Sequence, residues 1–337
     1  MKKAASALGL LEGLVTHKEV PGLAIQVNIQ GKTQYCQGYG FSDLKDLRPV
    51  VPERTLFRIA SISKPITATA LVRLVELGVL SLDTDLREYV PEFPQKHPLV
   101  SLRQLASHTA GIRSYRGKEF ALNQPYSIAD SLPVFIDDPL EFSPGNGYLY
   151  NSFDFVLLSL AMERAFGKPF HELTRELVLD PLGMSRTHRE IPGKPWPDQA
   201  SFYTKFGKTF RKAVSVDNRY KLAGGGYLST VSDVCRLGQA YLDNRIADER
   251  VLRPFLTSAV VGKKPTYYGL GWQVSQDQAG RKYYGHIGNA AGVYSNFFIY
   301  PEEQLVVCIL MNCAGNGIQP VLDTVVDSLH QSLSAAE

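Results

Sequence analysis

Ser61 and Lys64 have the residue types and the spacing of a nucleophile and its proton acceptor. Three residues apart on a helix, their side chains would share one face, one turn apart. An amine accepts the proton of a neighbouring hydroxyl where burial lowers the pKa of the ammonium. At a helix start, the serine would also lie at the positive end of the helix dipole, which favours a developing oxyanion. The pair therefore indicates acyl transfer through Ser61.

The Ser-x-x-Lys pattern occurs twice in the chain, so the surrounding residues must indicate which copy contains the nucleophile. Ser42 and Lys45 lie in a polar, turn-like stretch with no apolar helix after it. Ser61 and Lys64 instead precede a proline, which the first helical turn tolerates, and a long apolar run. Such a run predicts a helix that is buried nearly all round. We therefore expect Ser61 to be the nucleophile and the Ser42 pattern to be a coincidence.

Strand patterns occupy both ends of the chain. Apolar and polar residues alternate across a predicted hairpin that turns at Gly31, which indicates a strand with one buried face. The predicted strands are residues 23–29, 33–39, 268–274, 293–300 and 305–312. We expect them to meet in one central antiparallel sheet.

Helical patterns fill the middle of the chain, where we find no convincing strand. The predicted helices there are residues 102–107, 131–137, 153–166 and 170–179. Later, Thr230 and Asp233 fit a capping box that opens another helix, and apolar spacing at 322–329 predicts a terminal helix.

This order predicts an α/β (α+β) fold with a central antiparallel sheet that is built from both termini and flanked by helices. Residues 1–80 and 217–337 would form the α/β lobe, and residues 81–216 an inserted, all-helical lobe. A lobe boundary is a natural place for a cleft, and Ser61 would lie where the first lobe leads into the second.

Composition excludes several classes of partner. The 337 residues carry a net charge of +3 with scattered charges, so we expect no nucleic-acid partner. No apolar run approaches the ~20 residues of a membrane span. Seven histidines and four cysteines show no metal-ligand spacing, so we expect neither a metal nor another cofactor. The oligomeric state stays open.

The N-terminus imitates a signal peptide, since two lysines precede an apolar stretch. Glu12 interrupts that stretch, however, and no clear small-x-small cleavage site follows. Leu8, Leu11 and Val15 recur at helical spacing. We therefore expect a docked amphipathic helix and a cytoplasmic protein, with a periplasmic or secreted location as the alternative if an upstream signal was removed.

Several motifs, taken in order, resemble those of the serine β-lactamase-related hydrolases, which include class C β-lactamases, D-alanyl-D-alanine carboxypeptidases and related esterases. The matching stretches are the nucleophile helix (57–77), Gly-x-Leu-x-Leu-Asp (78–83), Leu-x-x-His-Thr-Ser-Gly-Leu with alanine for serine (105–112), Pro-Gly-x-x-Phe-x-Tyr-Ser-Asn (144–158) and Gly-Gly-x-x-Ser-Thr-x-x-Asp (225–233). The similarity covers almost the whole chain and implies a β-lactamase or penicillin-binding-protein-like fold.

The resemblance implies a role for each matching residue. Ser61 becomes the acylated nucleophile, and Lys64 its partner in deprotonation. Tyr150 relays a proton to the leaving group and then activates water. The backbone N–H groups of Ser61 and Asn289 form the oxyanion hole, and Gly288 lets the substrate lie against the strand edge.

Two departures from the family pattern bear on the substrate. Ser152 stands where the family commonly has the asparagine of Tyr-x-Asn, and serine reaches less far. His286 stands where many members have the lysine of Lys-Thr-Gly, and a neutral histidine can hydrogen-bond Tyr150 without a permanent charge. The second departure disfavours penicillin hydrolysis. We interpret His108 as a structural residue, because it lies at a helix end outside the predicted cleft.

We therefore expect a serine hydrolase that acts through acyl-Ser61 on small ester, amide or peptide substrates and is weak on β-lactams. The alternative is a non-catalytic, penicillin-binding-like sensor or assembling protein that retains the fold, and Ser152 is its best support. A Ser-His-Asp hydrolase is disfavoured because the chain has no Gly-x-Ser-x-Gly elbow.

Overall fold

The computed structural model describes residues 2–315 and 317–333. The helices are α1 (Lys2–Thr16), α2 (Ser63–Glu76), α3 (Leu102–Ala106), α4 (Phe153–Phe166), α5 (Phe170–Thr174), α6 (Leu222–Gly225), α7 (Val231–Leu242), α8 (Glu249–Leu252) and α9 (Gln319–Leu333). Single turns of 3-10 helix occur at Ala60–Ile62, Leu86–Glu88 and Glu119–Ala121, a longer 3-10 segment occurs at Ala129–Val134, and a π-helical turn at Arg175–Leu179 continues α5.

The long strands are β1 (Gly22–Ile29), β2 (Lys32–Asp43), β6 (Tyr203–Phe206), β7 (Thr209–Lys212), β11 (Gln273–Gln276), β12 (Lys282–Ala290), β13 (Val293–Tyr300) and β14 (Leu305–Met311). The short ones are β3 (Arg48–Pro49), β4 (Phe57–Arg58), β5 (His188–Arg189), β8 (Tyr227–Ser229), β9 (Val260–Val261), β10 (Lys264–Pro265) and β15 (Cys313–Ala314).

The central sheet takes its strands from both ends of the chain, in the order β11-β12-β13-β14-β1-β2-β3. Every neighbouring pair in it is antiparallel. The first strand lies directly against the last long one, with Ile25 opposite Ile309. This arrangement confirms the predicted α/β fold with a central antiparallel sheet built from both termini.

Helices cover both faces of that sheet. Leu11 of α1 and Leu322 of α9 belong to the apolar cluster under one face, and Cys235 of α7 to the cluster under the other. Consequently β1 is buried on both faces, whereas the sequence predicted one buried face. Its polar Gln26 is accommodated because the Ser232 hydroxyl of α7 donates to its side-chain oxygen at 2.7 Å.

The segment 81–216 needs a correction, because it is not all-helical. It contains α3, α4 and α5 as expected, but also β5, β6 and β7. β5 pairs with β8, outside the segment, whereas β6 and β7 form an antiparallel hairpin within it, and β6 also runs parallel to β15. Strands of only two to four residues are too short to leave a clear alternating pattern in the sequence. The division into lobes at 80/81 and 216/217 remains our proposal.

The predicted strand at residues 268–274 is also wrong in extent. The strand begins only at Gln273, and Tyr268 makes an isolated antiparallel bridge back to Gln273. The chain reverses between them through Gly271, whose φ of +82° lies in the left-handed region that favours glycine. Tyr268 is thereby turned into the interior, where it is buried.

The helices in the described part of the chain lack the combination of length and apolar character that crossing a bilayer requires. The expected cellular compartment stays a prediction.

Candidate active site

The turn that carries Ser61 is held in an unusual backbone conformation. Ala60 has a φ of +46°, which alanine rarely adopts. Two contacts at Ile59 brace this turn: its N–H donates to the carbonyl of Tyr227, and its carbonyl accepts from the Ser295 hydroxyl at 3.0 Å. Such strain persists only where the surroundings enforce it, and it is common at functional sites.

Ser61 lies between two possible proton partners at the start of the buried helix α2. The Lys64 ammonium nitrogen Nζ lies 3.3 Å from Ser61 Oγ and donates to the Gly224 carbonyl at 2.9 Å. The Tyr150 hydroxyl donates to Ser61 Oγ at 2.8 Å. The structure thus brings together the three residues that were expected to react.

Burial gives Lys64 and Tyr150 opposite protonation preferences. The desolvation of its fully buried amine lowers the pKa of Lys64 to about 7, although the charge of Asp154 works in the other direction. Desolvation raises the pKa of Tyr150 far above its ordinary value, an effect that the hydrogen bond to Ser61 reduces. Near neutral pH, Lys64 therefore has a substantial free-amine fraction that can accept a proton, while Tyr150 keeps its phenolic proton.

His286 does not make the expected hydrogen bond to Tyr150. Its Nδ1 lies 2.7 Å from the carbonyl of Ile287, and its Nε2 lies 3.0 Å from the Tyr268 hydroxyl. Because the carbonyl can only accept, Nδ1 carries the proton and Nε2 accepts from Tyr268. Burial and the charge of Lys64 lower the pKa of His286 to about 3, so the ring is neutral as expected.

His108 does not line the cavity beside Ser61, in keeping with its expected place outside the cleft, but it packs directly behind Tyr150. It is fully buried, and its ring centroid lies 4.5 Å from that of Tyr150 and 4.8 Å from that of Tyr268. Its Nδ1 lies 2.8 Å from a carboxylate oxygen of Asp154, which also accepts from the Asn151 amide at 2.7 Å. His108 therefore supports the position of the Tyr150 ring from within the protein.

Gly288 packs closely against the turn that carries Ser61, and its implied place beside the substrate stays a prediction. A Cβ atom there would lie 2.2 Å from Ser295 Oγ and 2.5 Å from the Ile59 carbonyl, and close to Ala60. Protein atoms therefore occupy the space into which a side chain at this position would point. The glycine therefore lets β12 pack closely against the nucleophile turn.

A cavity of about 250 Å³ opens beside Ser61. Tyr150, Ser152 and Asn289 line it, so these predicted residues share one site with the nucleophile. Ser152 borders the cavity at the start of α4, whereas the neighbouring Asn151 turns its amide into the protein, towards the Ile112 carbonyl and Asp154.

The backbone of Ser61 is available for an oxyanion. In the same turn, the N–H of Ile62 donates to the carbonyl of Ile59, whereas the Ser61 N–H makes no backbone hydrogen bond within residues 2–315 and 317–333. The exposed Asn289 follows Gly288 on β12, beside that turn. Ser61 and Asn289 are the two residues whose backbone N–H groups were expected to form the oxyanion hole.

Sequence reasoning missed Tyr268, which hydrogen-bonds His286 and packs edge-on against the Tyr150 ring at 5.9 Å. The sequence shows that the residue is a tyrosine, but the position of its side chain depends on the chain reversal at Gly271. In the part of the chain that the structure describes, no group of three or more His, Cys, Asp or Glu side chains is placed to hold a metal ion.

Comparison with known proteins identifies the family of this chain. The family model described as "Beta-lactamase" matches residues 9–331. The human "Serine beta-lactamase-like protein LACTB, mitochondrial" is 28% identical, and the alignment covers 88% of this chain and 72% of that protein. "Esterase EstB" of Burkholderia gladioli is 31% identical over 54% of this chain and 50% of its own length.

The solved structure of the D-amino acid amidase from Ochrobactrum anthropi SV3, complexed with L-phenylalanine amide, superposes with a TM-score of 0.85. It covers 98% of this chain and 99% of its own, at 21% sequence identity, so it supports the fold. Because the family model spans nearly the whole chain, from the first helix to the last, the protein belongs to the β-lactamase family of serine hydrolases.

Proposed function

We propose that this protein hydrolyses small esters or amides through an acyl-Ser61 intermediate. The observation that carries the proposal is the position of Ser61 Oγ within hydrogen-bond distance of both Lys64 Nζ and the Tyr150 hydroxyl. A serine hydroxyl needs a base to become a nucleophile, and here that base is an amine whose pKa burial lowers to about 7.

The first half of the proposed reaction forms the acyl-enzyme. Neutral Lys64 takes the proton of Ser61 as Oγ attacks the carbonyl carbon. The N–H groups of Ser61 and Asn289 stabilise the resulting oxyanion. When the tetrahedral intermediate collapses, the bond to the leaving group breaks. Tyr150 gives its proton to the leaving group and recovers one from Lys64, so the amine is again neutral.

In the second half, a water molecule replaces the leaving group. The Tyr150–Lys64 pair accepts a proton from the water while its oxygen attacks the acyl carbon. The bond between the acyl group and Ser61 Oγ then breaks, and the proton returns to Oγ. The carboxylic acid leaves, and the enzyme regains its starting protonation state.

The size and composition of the cavity limit the substrate. A volume of about 250 Å³ accommodates a small acyl compound and is below the usual range of drug-sized sites. His286, where many relatives have a charged lysine, supplies no positive charge to a β-lactam carboxylate, because its pKa of about 3 keeps it neutral. We therefore propose that esters and amides are turned over faster than β-lactams. The name of the esterase relative favours including esters.

Substrate profiling tests this proposal. We expect the wild-type protein to hydrolyse p-nitrophenyl esters or amino-acid p-nitroanilides, and to hydrolyse nitrocefin slowly or not at all. Ser61→Ala should abolish this activity. Ser42→Ala is the matched control, because Ser42 has the same Ser-x-x-Lys spacing but its hydroxyl hydrogen-bonds the Arg48 carbonyl at 3.1 Å and does not line the cavity. Equal activity of the Ser61→Ala and wild-type proteins would refute the proposal.

A second candidate function is a sensor that is acylated but does not turn over. Ser152, in the place of the asparagine of Tyr-x-Asn, is the observation that favours it. This candidate predicts an acyl adduct that persists for hours after excess ester is removed, whereas a hydrolase loses the adduct within its turnover time. Intact-protein mass spectra taken at intervals distinguish the two.

A further inference from the structure

The cavity beside Ser61 contains a basic residue that no step of the proposed mechanism uses. Lys221 lines this cavity, and only 8% of its surface is exposed. Its ammonium nitrogen donates to the Phe120 carbonyl at 2.6 Å. An ammonium has three N–H donors, and in the described chain Lys221 has this one acceptor and no ion pair. Two donors therefore remain for a ligand.

The carboxylates near Lys221 form ion pairs and hydrogen bonds with other residues. Both oxygens of Glu190 bind Arg58, at 2.8 Å each, and one also accepts from Asn218. Asp217 pairs with the guanidinium of Arg219. Neither acid approaches Lys221 to ion-pair distance, so its positive charge is not neutralised by direct contact.

The lining of the cavity is correspondingly positive. Arg58 and Lys221 are its basic residues, and no aspartate or glutamate of the described chain lines it. Because Glu190 neutralises Arg58, the uncompensated charge belongs to Lys221. Burying an ammonium without a counter-ion is costly, and proteins do so mainly where a ligand supplies the missing charge.

Two aromatic rings fix the direction of the Lys221 side chain. Its Nζ lies 5.5 Å from the centroid of Tyr115 and 5.6 Å from that of Tyr220, within cation–π distance of both. Burial lowers the pKa of Lys221 to about 8, so the group still carries its charge at neutral pH. The ammonium is thus held, charged, at the wall of the cavity that Ser61 opens into.

We propose that Lys221 is an anion-binding residue for a carboxylate of the substrate, so that the preferred substrates are small esters or amides that carry a carboxylate a few atoms from the scissile carbonyl. The inference rests on the proposed function and makes it more specific. The positive charge that His286 on β12 does not supply would come from Lys221, in the segment before α6.

Paired substrates test the proposal. The first pair is p-nitrophenyl hemiglutarate and p-nitrophenyl methyl glutarate, which differ by a charge at the acyl end. The second is 4-carboxyphenyl butyrate and its methyl ester, which differ at the leaving group. We expect the wild type to prefer the carboxylate member of one pair by about tenfold or more in kcat/KM, as hydrogen bonds to a charged group typically give.

Variants of Lys221 test whether this residue causes the preference for the carboxylate substrate. Lys221→Met, which keeps the length of the side chain, should remove the preference by lowering kcat/KM for the carboxylate ester much more than for its neutral partner. Lys221→Arg keeps the positive charge and should retain part of the preference for the carboxylate substrate. Equal losses on charged and neutral substrates would contradict the proposal, as would a wild type with no preference in either pair. The wild-type comparison remains decisive even if Lys221→Met does not fold.

A binding measurement separates this proposal from the proposed function. Monomethyl glutarate should bind the Ser61→Ala protein more tightly than dimethyl glutarate, and Lys221→Met should remove the difference. If the wild type hydrolyses neutral esters without any charge preference, Lys221 is not an anion site but the hydrolase proposal stands. If no ester is hydrolysed but the binding difference is found, the hydrolase proposal fails and the anion site stands. Equal binding of the two glutarates overturns the anion site.

Discussion

The hydroxyl of Tyr150 donates to Ser61 Oγ at 2.8 Å, although 89 residues separate the two in the sequence. Each precedes a buried helix, Ser61 the helix α2 and Tyr150 the helix α4, and these two helices contact each other. The packing of their buried residues therefore sets the distance between the proposed nucleophile and its proposed proton relay. A change that separates these helices should impair the reaction without touching either hydroxyl.

Removing the Tyr150 hydroxyl tests its role as proton relay. We expect Tyr150→Phe to lower kcat/KM for an activated ester by about 10²- to 10⁴-fold, the usual contribution of a positioned acid–base group. The ring, its contacts and the fold should persist, so the melting temperature should change by only a few degrees. Steady-state kinetics and thermal unfolding measure the two effects. Unchanged kinetics would remove Tyr150 from the mechanism.

The pH profile tests Lys64 as the base. Since burial lowers the pKa of Lys64 to about 7, we expect kcat/KM to rise tenfold per pH unit below that pKa and to level off above it, as the amine loses its proton. His286, with a pKa of about 3, should contribute no further change between pH 5 and 9. Ester hydrolysis followed by pH-stat measures the profile. A rate that falls with rising pH across neutrality would mean that Lys64 acts as a cation.

Lys64 should reduce the stability of the fold. Its pKa is about 7 in the folded state and near 10.5 in the unfolded chain, so the unfolded chain binds more protons between these values. The penalty is absent above about pH 10.5, grows as the pH falls towards 7, and is constant below. We expect Lys64→Met to be inactive yet more stable at pH 7, on the order of 2–4 kcal/mol after the lost Gly224 hydrogen bond.

Urea unfolding at pH 7 and at pH 10 checks this expectation. The stability gap between Lys64→Met and the wild type should shrink at the higher pH, because pH 10 is close to the pKa of lysine in the unfolded chain, near 10.5, where most of the penalty has gone. A gap that is the same at both pH values, or a less stable methionine variant at pH 7, would contradict the assigned protonation state.

Gly288→Ala tests the packing of β12 against the nucleophile turn. The added Cβ would lie 2.2 Å from Ser295 Oγ and 2.5 Å from the Ile59 carbonyl, so the turn has to move. We expect a loss of about 1–3 kcal/mol in stability, together with a fall in kcat larger than any change in KM. Gly9→Ala on α1 is the matched control, because its Cβ meets no atom within 4 Å, and it should be neutral or slightly stabilising.

The sequence predicted best the features that have local causes. Helix α4 begins at Phe153 and ends at Phe166, as the apolar pattern and the following Gly167 indicated, and Gly167 indeed adopts a φ of +74°. Likewise, Thr230 accepts from the N–H of Asp233 and caps α7, which begins at Val231. In both cases the signal for the helix end lies within four residues of it.

Features that depend on distant partners were missed or misplaced. The two-residue strand β5 exists because β8 pairs with it, and nothing near His188 in the sequence indicates this. The burial of His108 behind Tyr150 and the hydrogen bond from Tyr268 to His286 follow from tertiary packing. Ser61 and Tyr150 could be proposed from the sequence because their motifs are short and ordered, whereas the residues that pack around them carry no such pattern.

Covalent labelling of Ser61 tests the central claim most directly. After incubation with a fluorophosphonate, intact-protein mass spectrometry should show one phosphonyl group, and peptide mapping should place it on Ser61. Ser42→Ala should be labelled like the wild type, and Ser61→Ala should not be labelled. An unlabelled wild-type protein after several such probes, or an adduct on any other residue, would contradict the assignment of Ser61 as the nucleophile.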